Sequence, residues 1–145
     1  MKAAAKTQQV AMCGLFYMDR GMMKKTRWPK LPNLLVPLFE CARVYLSTSR
    51  EEWYQAYATL GLEPDDISGL SGCVRLIKNT ESGDVILLIG IFNGESHVLA
   101  HECAHAAFRI CSLCGVEINP DGGNETYCYL LGAIFRFAEE HVKNS

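Results

Sequence analysis

The apolar positions along this chain follow two periods, and the change from one to the other marks out its elements. Cys41–Ser47 reads as a strand. Ser49 then caps a helix, with Glu52 three residues on as a capping-box partner. Trp53, Tyr57 and Leu60 recur at helical spacing, and Gly61 ends the helix. Turn formers fill Glu63–Gly72. Cys73–Asn79 and Asp84–Phe92 follow as two strands of a hairpin, turned by Thr80-Glu81-Ser82-Gly83. The first strand is broken by Arg75 and Lys78, whereas Val85-Ile86-Leu87-Leu88-Ile89 is apolar throughout. That contrast predicts an exposed edge strand beside a buried one.

Asn93–Cys114 reads as a helix. Asn93 or Ser96 can cap it, Glu95 suits its positive end, and Gly115 fits its stop. After a loop through Asn119-Pro120-Asp121-Gly122-Gly123, the last helix runs from about Asn124 to Val142. Tyr127, Leu130, Leu131, Ile134, Phe137 and Ala138 form its apolar stripe. The first 40 residues are less legible. Gln8–Met18 fits a strand or a short helix, and Pro29, Pro32 and Pro37 argue against a long helix nearby. With no repeat and no low-complexity segment, the pattern predicts one α+β domain over residues 1–145.

Composition narrows the classes. Hydrophobic residues at 49% and charged residues at 21% suit a globular chain with a real core. A net charge of -2 makes no case for nucleic acid or an anionic membrane as main partner. The basic run Arg20–Lys30, with Trp28 inside it, reads as a solvated loop rather than a nucleic-acid surface. No apolar run reaches the ~18 residues of a membrane span. Lys2 and Lys6 precede apolar Val10–Met18, but Cys13-Gly14 interrupts it and no small-residue cleavage site follows, so no secretory leader is expected. Seven cysteines, an odd number without framework spacing, point to buried thiols in a reducing, cytoplasmic compartment.

The chemistry lies in His101-Glu102-Cys103-Ala104-His105. On a helix, residues four apart sit about 40° apart around the axis and about 6 Å along it. Two imidazoles at that spacing can meet on one zinc ion. Glu102, about 100° further round, can reach water at the metal without being a ligand. A catalytic zinc site needs a third protein ligand. The carboxylates downstream are Glu117, Asp121, Glu125, Glu139 and Glu140. Glu125, which opens the last helix and can point back at the first, is the best placed. Glu139 and Glu140 lie about 20 Å of helix beyond it. Gly132, seven residues after Glu125, falls on the same stripe and would let the two helices approach closely. His97 is too far along the helix to share an ion with His105 and reads as a cap, cleft or surface residue. Cys103 and Cys111-x-x-Cys114 read as packing.

His101-Glu102-x-x-His105 followed by Asn124-Glu125 at 125 − 105 = 20 positions resembles the gluzincins, the thermolysin-like zinc metallopeptidases. The resemblance covers about the last third of the chain. The runs His101–Ala107 and Asn124–Gly132 are also similar to small metallopeptidases encoded by phages and prophages. The resemblance implies a minimal zincin-like domain: a small mixed sheet, an active-site helix, and a C-terminal helix delivering the third ligand. It further implies zinc held by His101, His105 and Glu125, with Glu102 as general base in peptide-bond hydrolysis. Thermolysin-like enzymes carry an Asp four residues after the ligand Glu. Tyr129 stands there in this chain, so the group orienting a zinc-bound imidazole must come from elsewhere. Tyr127, Tyr129 and Tyr17 are the tyrosines available as oxyanion donor, and the edge at Cys73–Asn79 could hold a peptide as an added strand. Two rivals stand beside this reading. One is a repressor-cleaving peptidase of a mobile element. The other is a non-catalytic adaptor whose metal only joins two helices, although such a site has no need of Glu102.

Overall fold

The computed structural model describes residues 15–18 and 27–143. The chain forms an α+β fold whose mixed five-stranded sheet has the order β1-β4-β5-β3-β2. The strands are β1 (Leu15–Met18), β2 (Asn33–Leu35), β3 (Arg43–Ser47), β4 (Gly72–Asn79) and β5 (Val85–Ile91). The helices are α1 (Arg50–Leu60), α2 (Ser96–Leu113) and α3 (Glu125–Val142). Strand β5 runs antiparallel to β4 and parallel to β3, while β1 is parallel to β4 and β2 antiparallel to β3.

Alternation along the strands gives the sheet two apolar faces. Tyr45, Cys73, Ile77, Ile86 and Leu88 pack with Trp53, Ala56, Tyr57 and Leu60 of α1. Val44, Leu46, Val74, Leu76, Leu87 and Ile89 face the other way, onto Leu99, Cys103, Ala106 and Ile110 of α2 and Leu130, Ile134 and Ala138 of α3. The sheet therefore lies between α1 and the α2–α3 pair. This explains why β5 is apolar at consecutive positions: it is buried on both faces. Among the described residues, no helix is long and apolar enough to cross a membrane.

Local signals in the sequence correspond to observed contacts. Ser49 accepts a hydrogen bond from the Glu52 amide at 3.2 Å, and the Glu52 carboxylate accepts one from the Thr48 amide at 2.7 Å. The box thus closes one residue earlier than the standard pattern. At the other end of α1, Gly61 takes the left-handed conformation with φ 70°, which a glycine adopts without steric cost. The hairpin turn is pinned by the Asn79 side chain, which accepts from the amides of Glu81 and Ser82.

Two expectations need correction, and one strand went unread. Strand β4 is not a bare edge, because β1 pairs with its Leu76–Asn79 half. Among the described residues, no strand pairs with the outer side of Gly72–Arg75. Gly132 does not sit between helices: it is exposed, and a Cβ there would meet nothing within 4 Å. The short strand β2 had no periodic signal, being three residues long and flanked by Pro32 and Pro37. Of the Gln8–Met18 segment, residues 8–14 lie outside the described residues, and Leu15–Met18 is strand. Of the Arg20–Lys30 run, residues 20–26 also lie outside them.

Candidate metal and hydrolytic site

Helix α2 packs its Leu99, Cys103, Ala106 and Ile110 stripe against the sheet, which fixes the rotation of the whole helix. His101 and His105 then fall on its flank, exposed and half-buried respectively, while Glu102 lies between that flank and the sheet. The two imidazoles converge: their Nε2 atoms are 3.0 Å apart, with the ring planes inclined by 79°. Two nitrogens at that separation, each about 2.05 Å from a shared ion, would subtend about 95°. Opening the pair by about 0.3 Å would give the tetrahedral angle. Without an ion, 3.0 Å is a hydrogen bond in which one ring donates and the other accepts. Burial lowers the His105 pKa, and the neighbouring charges of His101 and Arg109 lower it further. Both effects favour the neutral imidazole, the form that binds metal.

Glu102 is only 8% exposed. Its side chain lies against Gly72 at the start of β4, where a Cβ would come within 2.8 Å of the Glu102 Cγ and 2.6 Å of Val98. Gly72 is thus the vacancy that lets a carboxylate sit between helix and strand. Burial raises the Glu102 pKa, and the charges of His101 and Arg75 oppose that rise. A carboxylate whose proton affinity is raised in this way is suited to act as a base. A cleft of about 160 Å³ opens beside it, lined by Gly72, Arg75, Glu102, His105 and Arg109 among others. The cleft runs along Gly72–Arg75 of β4, so this stretch of strand and four polar side chains share one place.

The structure does not gather the third predicted ligand. Glu125 is exposed at the first turn of α3, with its carboxylate lying back over Gly123. On the helical wheel it faces away from Leu130, Ile134 and Ala138, the residues that dock on the core. Among the described residues, no group of three His, Cys, Asp or Glu side chains is arranged to hold a metal ion. The side chains that the structure brings together therefore offer zinc two imidazoles. Glu125 lies on the helix packed against α2, at the end where Tyr127 meets Phe108 with ring centroids 4.5 Å apart.

Neither proposed tyrosine of α3 lines the cleft: Tyr129 is 77% exposed and Tyr127 is packed on Phe108. The side chain of Tyr17 lies outside the described residues. Arg75 and Arg109 line the cleft instead. Arg109 carried a signal in the sequence, standing four residues after His105 and so on the same stripe. Arg75 carried none, because its place depends on which edge of β4 is left unpaired. His97 is a surface residue, 3.9 Å from the Glu95 carboxylate. Cys103 is fully buried, and burial pushes its thiol up to about 12. Cys111 and Cys114 pack with Cys41, a neighbour their spacing does not reveal. Comparison with family models, curated proteins and solved structures yields no match for this chain.

Proposed function

We propose that this chain is a zinc-dependent peptidase of the gluzincin type, acting on peptide bonds of a protein or peptide substrate. One observation carries the reading: two imidazoles whose Nε2 atoms lie 3.0 Å apart stand next to a buried carboxylate that lines a cleft. His101 and His105 would hold the metal. Glu125 opens the helix packed on α2, and it would have to turn in from its exposed position to complete the shell as the third ligand. When bound, zinc supplies Lewis acidity that polarises a carbonyl and activates water for attack.

The remaining steps belong to the protein's own groups. Glu102 takes a proton from the attacking water, holds it in a site shielded by Gly72 and Val98, and passes it to the leaving amine. Gly72–Arg75, which no strand among the described residues pairs on its outer side, can receive an extended peptide as an added strand and orient its carbonyl toward the imidazole pair. Six free thiols among the described residues, most of them buried or half-buried, support a reducing, cytoplasmic setting, the host cytoplasm if the chain is phage-encoded.

The outward-facing Glu125 favours a second reading, in which two imidazoles on a helix face serve a non-catalytic binding module. One comparison separates the two. Wild type and Glu102→Gln are measured for zinc content by elemental analysis and for cleavage of a broad peptide library by mass spectrometry. The peptidase reading expects near-stoichiometric zinc in both proteins. It also expects a fall in cleavage of about 10²-fold to 10⁴-fold on removing the base. Zinc-loaded wild type that cleaves nothing would decide for the binding module.

A further inference from the structure

The stripe of α2 that carries the motif continues beyond it. Arg109 follows His105 by four residues and Glu102 by seven, which places it about 20° from Glu102 around the helix axis. It lines the same cleft as Glu102 and His105. Arg75 joins it from β4. The Arg75 guanidinium is held in place: Nε donates to Asp65 Oδ2 at 3.0 Å, Nη2 stands 3.0 Å from the same oxygen as an ion pair, and Nη1 donates to the Val74 carbonyl at 3.0 Å. A guanidinium carries five N–H donors, so these contacts do not exhaust it. Among the described residues, the charged side chains that line the cleft with His105 are Arg75, Arg109 and Glu102. Both cations act electrostatically on the site, Arg75 on Glu102 and Arg109 on His105.

We propose that Arg75 and Arg109 form a carboxylate-recognising subsite, so that the preferred peptide carries a carboxylate within about one residue of the scissile bond. The proposal rests on the peptidase reading for its use, but not for its binding chemistry. Planar guanidinium groups pair with carboxylates through two parallel, charge-assisted hydrogen bonds. The fixed Arg75 fork is set for such a pair with little further ordering. The cleft, at about 160 Å³, has room for about five waters, which suits one short side chain or a chain terminus. The carboxylate has two sources, an acidic side chain or a free C-terminus.

Four small probes separate these sources by NMR titration of isotope-labelled full-length protein. N-acetylalanine and its amide test a terminal carboxylate. N-acetylaspartate N-methylamide and the corresponding asparagine compound test a side-chain carboxylate. At least one acid is expected to shift the signals of Gly72–Arg75 and Arg109 and to bind about tenfold tighter than its amide. The acid that binds names the source. Arg109→Gln and Arg75→Lys should each remove most of that preference, and the Arg109 variant keeps the test readable should the Asp65-anchored Arg75 position fail to tolerate change. Acids and amides that bind alike, or acids that leave these signals unmoved, overturn the subsite. Because the readout is binding, cleavage of peptides without acid preference sinks the subsite alone, and acid binding without any cleavage sinks the peptidase alone.

Discussion

Glu102 shows how one side chain depends on the absence of another. Its carboxylate reaches the cleft because position 72 carries no Cβ, and any side chain there would meet Val98 at 2.6 Å and Glu102 at 2.8 Å. Gly72→Ala should therefore push Glu102 off its seat. Overpacking of this kind destabilises by about 1–3 kcal/mol. The expected outcome is a lowered urea midpoint together with a loss of cleavage larger than the stability change accounts for. A midpoint and activity both equal to wild type would mean that Glu102 is not held by this contact. At the same scale, the sequence motif shows which residues are His and Glu, but not that Arg75 stands beside them, held by Asp65. That neighbourhood arises from a loop and a strand edge, and no local spacing encodes it.

Among the elements, α3 is where sequence reasoning and structure part most clearly. Its apolar stripe is legible, since Leu130, Ile134 and Ala138 are the residues that become buried. What the stripe implies for Glu125 and Gly132 follows from simple angles. Both lie on the opposite side of the wheel from the buried face. Gly132 then weakens an exposed helix surface and serves no close approach. Gly132→Ala should raise stability by about 0.5–1 kcal/mol, read from a urea or thermal unfolding curve. Destabilisation would instead place this position in a helix contact. Helix α1 was readable to within a residue, because its cap, stripe and glycine stop are all local features. Strand β2 was not, because three residues between prolines carry too little pattern to register.

For the whole molecule, the question is whether folding and metal binding are linked. A ligand that binds only the folded state raises stability in proportion to the logarithm of its excess over Kd. Zinc at a hundredfold excess over Kd contributes about 2.7 kcal/mol. For a domain of this size that is a rise in Tm of about 5–10 °C, reversed by a chelator. His101→Ala and Glu125→Ala each test a ligand: loss of the rise in the first but not the second would remove Glu125 from the site. The effect has a pH sign. Zinc needs the neutral imidazole, and the depressed pKa of His105 keeps that ring neutral below the ordinary value of about 6.5. Proton competition at His105 should therefore begin only below that value, and the zinc-dependent rise in Tm should shrink on further acidification. Scanning fluorimetry across pH, with and without zinc, measures both.

The sequence by itself determined what is local: the two periods, the Ser49 cap and Gly61 stop of α1, the β4–β5 hairpin, and a helix carrying two imidazoles four residues apart with a glutamate between. These follow from geometry that repeats every two or 3.6 residues, so spacing alone reveals them. Which way those elements face came from the packing of the whole fold. It set β1 against the Leu76–Asn79 half of β4, placed Gly72 beside Glu102, brought Arg75 and Arg109 to one cleft, and turned Glu125 outward. The physical reason is that each of these depends on the rotation of one packed element against another, a quantity set by the whole core and by no single stretch of chain.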